Sequence, residues 1–386
     1  MVRRNFTILG LVVLLILLVG AGPASAHGKL PTWTSVFPTD LLPEIPGTSD
    51  YPGGHILWSM ESFNNQLFAA FSSLGNGLTV YRSFDGITWE NVTPPGLKEN
   101  YLISWDMQVF ENHLYLEAND YWPGAHPGAV LRTANGKDWE TVFEGTPDSM
   151  AGNQADKLGV YNGMIYLTAI GPTGQVWRSR TGNSGKWELV TASLGQDVYG
   201  TASPVSFNGD LFMSGSSSGT VKVWRSHNGK TWEVMGAGIL DVPNNSAENG
   251  NLTVFNHQLY LSVSNDVDGG RLYRSGDGKH WKLAVNQDFV AHNITEVTTI
   301  VYNNDLYAIA NDNITPDCYS YCAKIMRSHS GKPGDWELLT DEMGWGPLSG
   351  TVRNTQAIFN GKLYVANFLA FYDGIGNLNA IYRMDR

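Results

Sequence analysis

Tyr81-Arg82-Ser83-Phe84-Asp85-Gly86-Ile87-Thr88-Trp89 decides the fold, because the same phrase returns along the chain. It consists of an aromatic or apolar residue, Arg, Ser or Thr, a short turn with Gly, and then Trp. Five more copies carry Arg132 and Trp139, Arg178 and Trp187, Arg225 and Trp232, Arg274 and Trp281, and Arg327 and Trp336. Tyr382-Arg383 has no Trp after it, and Thr32-Trp33 has no Arg before it. These two fragments read as the halves of a seventh copy. Successive Trp stand 56, 50, 48, 45, 49 and 55 residues apart, close to the length of one propeller blade.

A second phrase falls in the middle of every repeat. It reads Phe63-Asn64-Asn65, Phe110-Glu111-Asn112, Tyr161-Asn162-Gly163, Phe207-Asn208-Gly209, Phe255-Asn256-His257, Tyr302-Asn303-Asn304 and Phe359-Asn360-Gly361. Asn and Gly between alternating apolar runs signal a tight hairpin. Each repeat therefore contains four strands, A to D, with the Asn turn between A and B and the Trp at the start of D. Units of this size stack radially. The expectation is an all-β, seven-bladed β-propeller with four-stranded blades over residues 27–386. The N-terminal strand, residues 32–37, closes the last blade and removes an open sheet edge.

The Ser83-x-Asp85-Gly86-x-Thr88-Trp89 turn resembles the Asp-box (BNR) repeat of sialidase-like propellers, and the Asn-Gly strand pairs resemble kelch repeats. The match is good at Ser226–Trp232 and Ser275–Trp281, looser at Thr133, and longer by two residues at Ser179–Trp187 and Ser328–Trp336. In that family the box is a structural turn remote from the ligand. Asp-Gly and Asn-Gly in it suggest a two-residue hairpin, with Trp covering the sheet edge. The family's sialidases clamp a carboxylate with three inner-strand Arg and use a Tyr nucleophile. Only Arg353 stands at an inner-strand mouth here, so sialidase activity is not expected.

Composition narrows the function. The 386 residues include 43 Gly and 13 Trp, with 12 % aromatic and 16 % charged residues, which excludes a disordered tail or coiled coil. The net charge of -11 argues against nucleic acid as a partner. Arg3-Arg4, the apolar run 8–19 and Ala24-Ser25-Ala26 have the order of a secretory signal peptide cleaved after Ala26. The competing reading is a retained membrane anchor, since residues 6–22 sit at the short end for a spanning helix. The expected product is a secreted, monomeric protein with no membrane contact after cleavage.

In a propeller the A–B and C–D turns share one face, and the B–C and D–A connections share the other. The second set is long and irregular, the usual place for function on a rigid scaffold. It carries Tyr101, Tyr121, Trp122, His126, Tyr199, His292, Trp345 and Tyr372 among Asp and Asn residues. Rings stack on sugar faces, and carboxylates and amides take hydroxyls. Carbohydrate or another extracellular polymer is the expected ligand, and a protein-interaction platform is a third reading.

Aligned on their closing aromatic, the A strands carry a polar set, Ser59, Asp106, Lys157, Ser203, Asn251, Thr298 and Thr355. Nearer the long loops stand Leu57, Ser104, Ala155, Thr201, Asn249, Glu296 and Arg353, while Trp58, Met60, Trp105 and Met107 alternate with them. Alternation suggests that the polar set lines a wet channel and the apolar set packs between blades. Asp106 beside Lys157 and Glu296 beside Arg353 are the charge pairs expected on adjacent blades. A glycoside hydrolase or polysaccharide lyase, the alternative function, would use Glu296 or Asp106 as acid or base beside Arg353, with Asp156 and Glu248 next. Cys318 and Cys322 are expected to form a small disulfide in an exported chain. No cofactor is indicated beyond the calcium-like make-up of Asp266-Val267-Asp268-Gly269-Gly270, which lacks the length and final Glu of an EF-hand.

Overall fold

The computed structural model describes residues 30–38, 41–42, 55–73, 76–120, 126–236, 238–247, 250–265, 267–312, 322–340, 355–366, 369–370 and 381–385. Every strand belongs to the compact unit Pro31–Arg386. Seven antiparallel sheets contain every described strand. Blade 1 is His55–Phe63, Gln66–Ser73, Gly77–Ser83 and Trp89–Asn91. Blade 2 is Met107–Phe110, His113–Ala118, Ala129–Thr133 and Trp139–Glu144, and blade 3 is Gln154–Tyr161, Met164–Ile170, Gln175–Ser179 and Glu188–Thr191. Blade 4 has a broken inner strand, Val198–Tyr199 and Val205–Phe207, before Asp210–Ser217, Thr220–Ser226 and Glu233–Met235. Blade 5 is Leu252–Phe255, Gln258–Val263, Arg271–Ser275 and Lys282–Val285, and blade 6 is Ile294–Tyr302, Asp305–Asp312, Cys322–Ser328 and Trp336–Leu338.

Blade 7 joins the two ends of the chain. Its inner strands are Gln356–Phe359 and Lys362–Ala366, then comes Ile381–Asp385, and Thr32–Ser35 is the outermost strand. Thr32 pairs with Asp385 and Ser35 with Tyr382. The seven buried apolar clusters each draw on two consecutive blades, and one of them unites blade 7 with blade 1. Stacking that returns to its start defines a closed, seven-bladed β-propeller.

Turn chemistry explains the hairpins. Asn64 and Asn65 both have positive φ, 48° and 55°, between the paired residues Phe63 and Gln66. Two consecutive left-handed residues make the turn whose twist matches a two-residue hairpin, and Asn tolerates that region better than most residues. The same pair of positive φ values recurs at all seven Asn turns.

The C–D turn differs from its expected two-residue form. Ser83 pairs with Trp89, leaving a five-residue loop. Asp85 Oδ1 accepts the N–H of Ile87 at 2.8 Å and of Thr88 at 2.6 Å, and Ser83 Oγ accepts the N–H of Gly86 at 2.7 Å. The Asp side chain thus replaces backbone ladder bonds, as Asx turns do. Asn135, Asn228 and Asp277 repeat this arrangement. In the longer copy of blade 6, Asp335 reaches back instead to Ser328 and Ser330.

The box glycine locks neighbouring blades. A Cβ on Gly229 of blade 4 would lie 1.9 Å from the Tyr166 hydroxyl of blade 3, and one on Gly182 would lie 2.0 Å from that of Tyr115. Gly86 meets Tyr364, Gly136 meets Phe68, Gly278 meets Phe212 and Gly331 meets Tyr260 in the same way. Each turn therefore seats on the B-strand aromatic of the preceding blade. The repeated Arg completes the joint. Arg132 Nε bonds Glu140 Oε1 at 2.7 Å, while its Nη1 reaches the Thr181 carbonyl in the next blade's turn at 3.3 Å. Arg82–Glu90 and Arg178–Glu188 repeat the ion pair at 2.7 and 2.6 Å.

Candidate functional site

The inner strands present their backbone edges to the axis, so their side chains alternate between the two neighbouring blades. Met60 packs toward blade 7, whereas Trp58 and Phe63 pack toward blade 2. This corrects the expectation of a wet channel lined by the polar set. Ser59, Asp106, Lys157, Thr298 and Thr355 are buried. They bond across blade boundaries: Ser59 Oγ to Ser104 Oγ at 3.3 Å, and Gln356 Nε2 to Thr298 Oγ1 at 3.4 Å. Asn251 bridges to blade 6, donating to the Thr299 carbonyl at 2.7 Å and accepting the Thr299 N–H at 2.8 Å.

Asp106 sits inside this inner ring and not at an open mouth. Its Oδ2 accepts the Leu158 N–H of blade 3 at 2.9 Å and the Ser203 hydroxyl, which precedes Val205–Phe207 of blade 4, at 2.8 Å. Asp156, fully buried, accepts the N–H of Thr201 at 2.9 Å and the Thr201 hydroxyl. Lys157 Nζ donates to the Trp105 carbonyl at 2.5 Å. Buried charges persist only when hydrogen-bonded in this way. Asp106 and Asp156 are thus blade-to-blade staples.

Two carboxyls join them that the sequence reading passed over. Glu117 is fully buried and accepts the Trp105 N–H at 2.8 Å and the Asn119 amide at 2.7 Å. Burial, reinforced by the nearby Asp156, holds its carboxyl well above the usual carboxylate range. The signal was present: aligned B strands place Ala70, Thr168, Ser214, Ser262, Ile309 and Ala366 where blade 2 has Glu117. Burial likewise raises Glu61 to about 7, with a smaller contribution from Asp106.

At the long-loop end, the described side chains gather around blade 2, where it meets blades 1 and 3. The Tyr101 and His126 rings meet edge to face at 5.7 Å, one from a D–A connection and the other from a B–C connection. Beside them, the Asp120 carbonyl accepts from Gln154 Nε2 at 3.1 Å and its N–H donates to the His126 carbonyl at 3.2 Å. Burial and the neighbouring Glu144 carboxylate push the Tyr101 phenol up to about 12. Tyr199 is 50 % exposed on the same end. The backbone carbonyl of His292 accepts from the buried Lys324 Nζ at 2.7 Å, and Glu296 is half-buried on the inner strand of blade 6.

Tyr121, Trp122, Glu248, Trp345, Arg353 and Tyr372 lie outside the described residues, as does Cys318 and with it the expected disulfide to Cys322. The described part of the calcium-like loop is internally bonded. Asn265 Oδ1 accepts the N–H groups of Val267 and Asp268, and Arg271 Nη2 bonds Asp268 Oδ2 at 3.4 Å. Among the described residues, no group of three His, Cys, Asp or Glu stands close enough to hold a metal ion.

No family model matches the chain, and no curated protein matches it. Solved structures do. The structure of YCF48 bound to D1 peptide shares 15 % identity, covering 89 % of this chain and 97 % of that one at a TM-score of 0.52. YCF48 from Cyanidioschyzon merolae shares 10 % identity over 92 % and 98 % of the two chains, also at 0.52. The endosialidase of phage phi92 shares 12 % identity over 92 % and 68 %, at 0.47. At these identities the likeness is one of fold. What is shared is the β-propeller architecture, which the ring of seven sheets displays.

Proposed function

We propose that this is an exported β-propeller binding protein that takes a carbohydrate or similar extracellular polymer on its long-loop face. The division of labour between the two ends supports this. At the short-turn end, the Asp-type carboxylates, the Arg guanidinium groups and the glycines are engaged in turns and blade joints. At the other end, partly exposed rings such as Tyr101, His126 and Tyr199 stand beside amide and carboxylate groups. Aromatic faces with hydrogen-bonding neighbours suit a pyranose.

Binding is favoured over hydrolysis by the inner carboxyls. Asp106, Asp156 and Glu117 each accept from backbone N–H groups of neighbouring segments, an arrangement that serves joints. Retention of purified protein on a panel of polysaccharides, run together with an assay for released sugar, tests the reading. Retention without release supports it. Release that is abolished by Glu296→Gln without unfolding establishes the enzyme instead. Absence of both removes the carbohydrate reading.

A further inference from the structure

The strand order assigns the described connections to the two ends of the ring, and their charges divide unevenly between the ends. The A–B and C–D connections carry 5 acidic and 6 basic residues. Among the described residues, the B–C and D–A connections carry seven acidic residues besides the buried Asp106, against Lys98 as the one basic residue. Such an asymmetry produces a negative field at one end, which repels uronates, sialates and phosphates and concentrates cations.

A second observation locates the field at a specific place. The half-buried Tyr101–His126 pair lies close to the exposed Glu144, which pairs across the sheet with Ala129, three residues after His126, and which helps to raise the Tyr101 phenol. A ring pair offers a flat apolar contact and a π face for an ammonium group, and the adjacent carboxylate offers a counter-charge. Neutral sugars need only the rings and amides. Glu144 and the surrounding acidic field add selectivity for positive charge.

Resting on the carbohydrate reading above, we infer that the ligand of this face is a saccharide polymer bearing free amino groups, seated at Tyr101 and His126 with an ammonium group facing Glu144. An acidic polymer is excluded by the same field.

The test titrates the full-length, folded protein with four probes: a glucosamine oligomer, the N-acetylglucosamine oligomer of equal length, a galacturonate oligomer and poly-lysine. The free-amine oligomer should bind at least about tenfold more tightly than its acetylated counterpart, a gap of roughly 1.4 kcal/mol. That preference should vanish in roughly 1 M salt, where the Debye length is about 3 Å. Glu144→Gln should weaken it several-fold. Asp138→Asn, the same charge change at the opposite end of the ring, should leave it unchanged. Equal binding of the acetylated oligomer overturns the inference while leaving the carbohydrate reading intact. Binding of poly-lysine without the glucosamine oligomer overturns it in favour of a basic polypeptide. Equal losses in the two variants overturn the seat at Tyr101. Failure of all four probes removes both readings.

Discussion

Gly229 shows what a single residue does in this ring. Its φ of 69° is in the left-handed region, and its missing Cβ leaves space for the Tyr166 hydroxyl. Gly209, in an Asn turn, has a similar φ of 85° but nothing within 4 Å of the added Cβ. Gly209→Ala should therefore cost only the left-handed strain, about 1–2 kcal/mol. Gly229→Ala adds a clash and should cost clearly more, with partial rescue by Tyr166→Phe. Urea unfolding of the three variants measures the difference, and equal costs for the two glycines would remove the interlock. The sequence displayed both glycines in repeated phrases, but the two roles were indistinguishable there, because the Tyr that separates them belongs to the preceding repeat. Glu117 teaches the converse. It was visible as the one charge at its position in the aligned B strands, and only the burial of that strand gives it meaning.

The titrating residues act in opposite directions. Glu117 and Glu61 have folded pKa values above the 4.5 of the free side chain, to about 7 for Glu61. Above pH 4.5 the unfolded chain releases these protons first, so their contribution to stability falls as pH rises toward the folded values. Glu117→Gln should flatten the decline of the denaturant midpoint as pH rises above 4.5. Asp85 is held at about 2 against 3.8, chiefly by the Thr88 and Ile87 N–H groups. Its contribution is present above 3.8 and is lost as pH falls toward 2.

At the scale of the strand, joints between blades matter more than the sheets themselves. Asp106 ties three blades, and Asp106→Ala leaves the Leu158 N–H and the Ser203 hydroxyl without their acceptor. Stability should fall by roughly 2–4 kcal/mol. A variant of unchanged stability that has lost a catalytic activity would instead mark Asp106 as a catalytic group. The strand Thr32–Ser35 is the outer edge of blade 7, and Trp33 packs against the cluster that joins blades 6 and 7. Deleting residues 27–40 should lower the melting temperature of the whole ring, and an unchanged melting temperature would contradict the closure. Strand count and closure were legible because hairpin chemistry and the box phrase are local. The direction of the inner side chains was not. Alternation fixes two faces of a strand, but both of those faces meet neighbouring blades.

For the whole molecule, the repeat determines shape and leaves function to the connections. The seven clusters of buried residues are interchangeable in kind, whereas the two ends of the ring differ in length of connection and in charge. The rings at the long-loop end could be named from the sequence, yet their pairing could not. Tyr101 and His126 come from different connections and meet only after blade 2 has formed.

The pairing of Thr32 with Asp385 has a mechanical consequence. Tension applied through these two residues acts on the same end of an antiparallel pair. The four residue pairs from Thr32–Asp385 to Ser35–Tyr382 would then separate in succession, as a zipper opens, and never bear the load together. A ring held together by seven buried clusters would yield to a small pull at this seam. Single-molecule stretching through residues 32 and 385 should register a lower opening force than stretching through Leu57 and Leu211, which loads several joints at once.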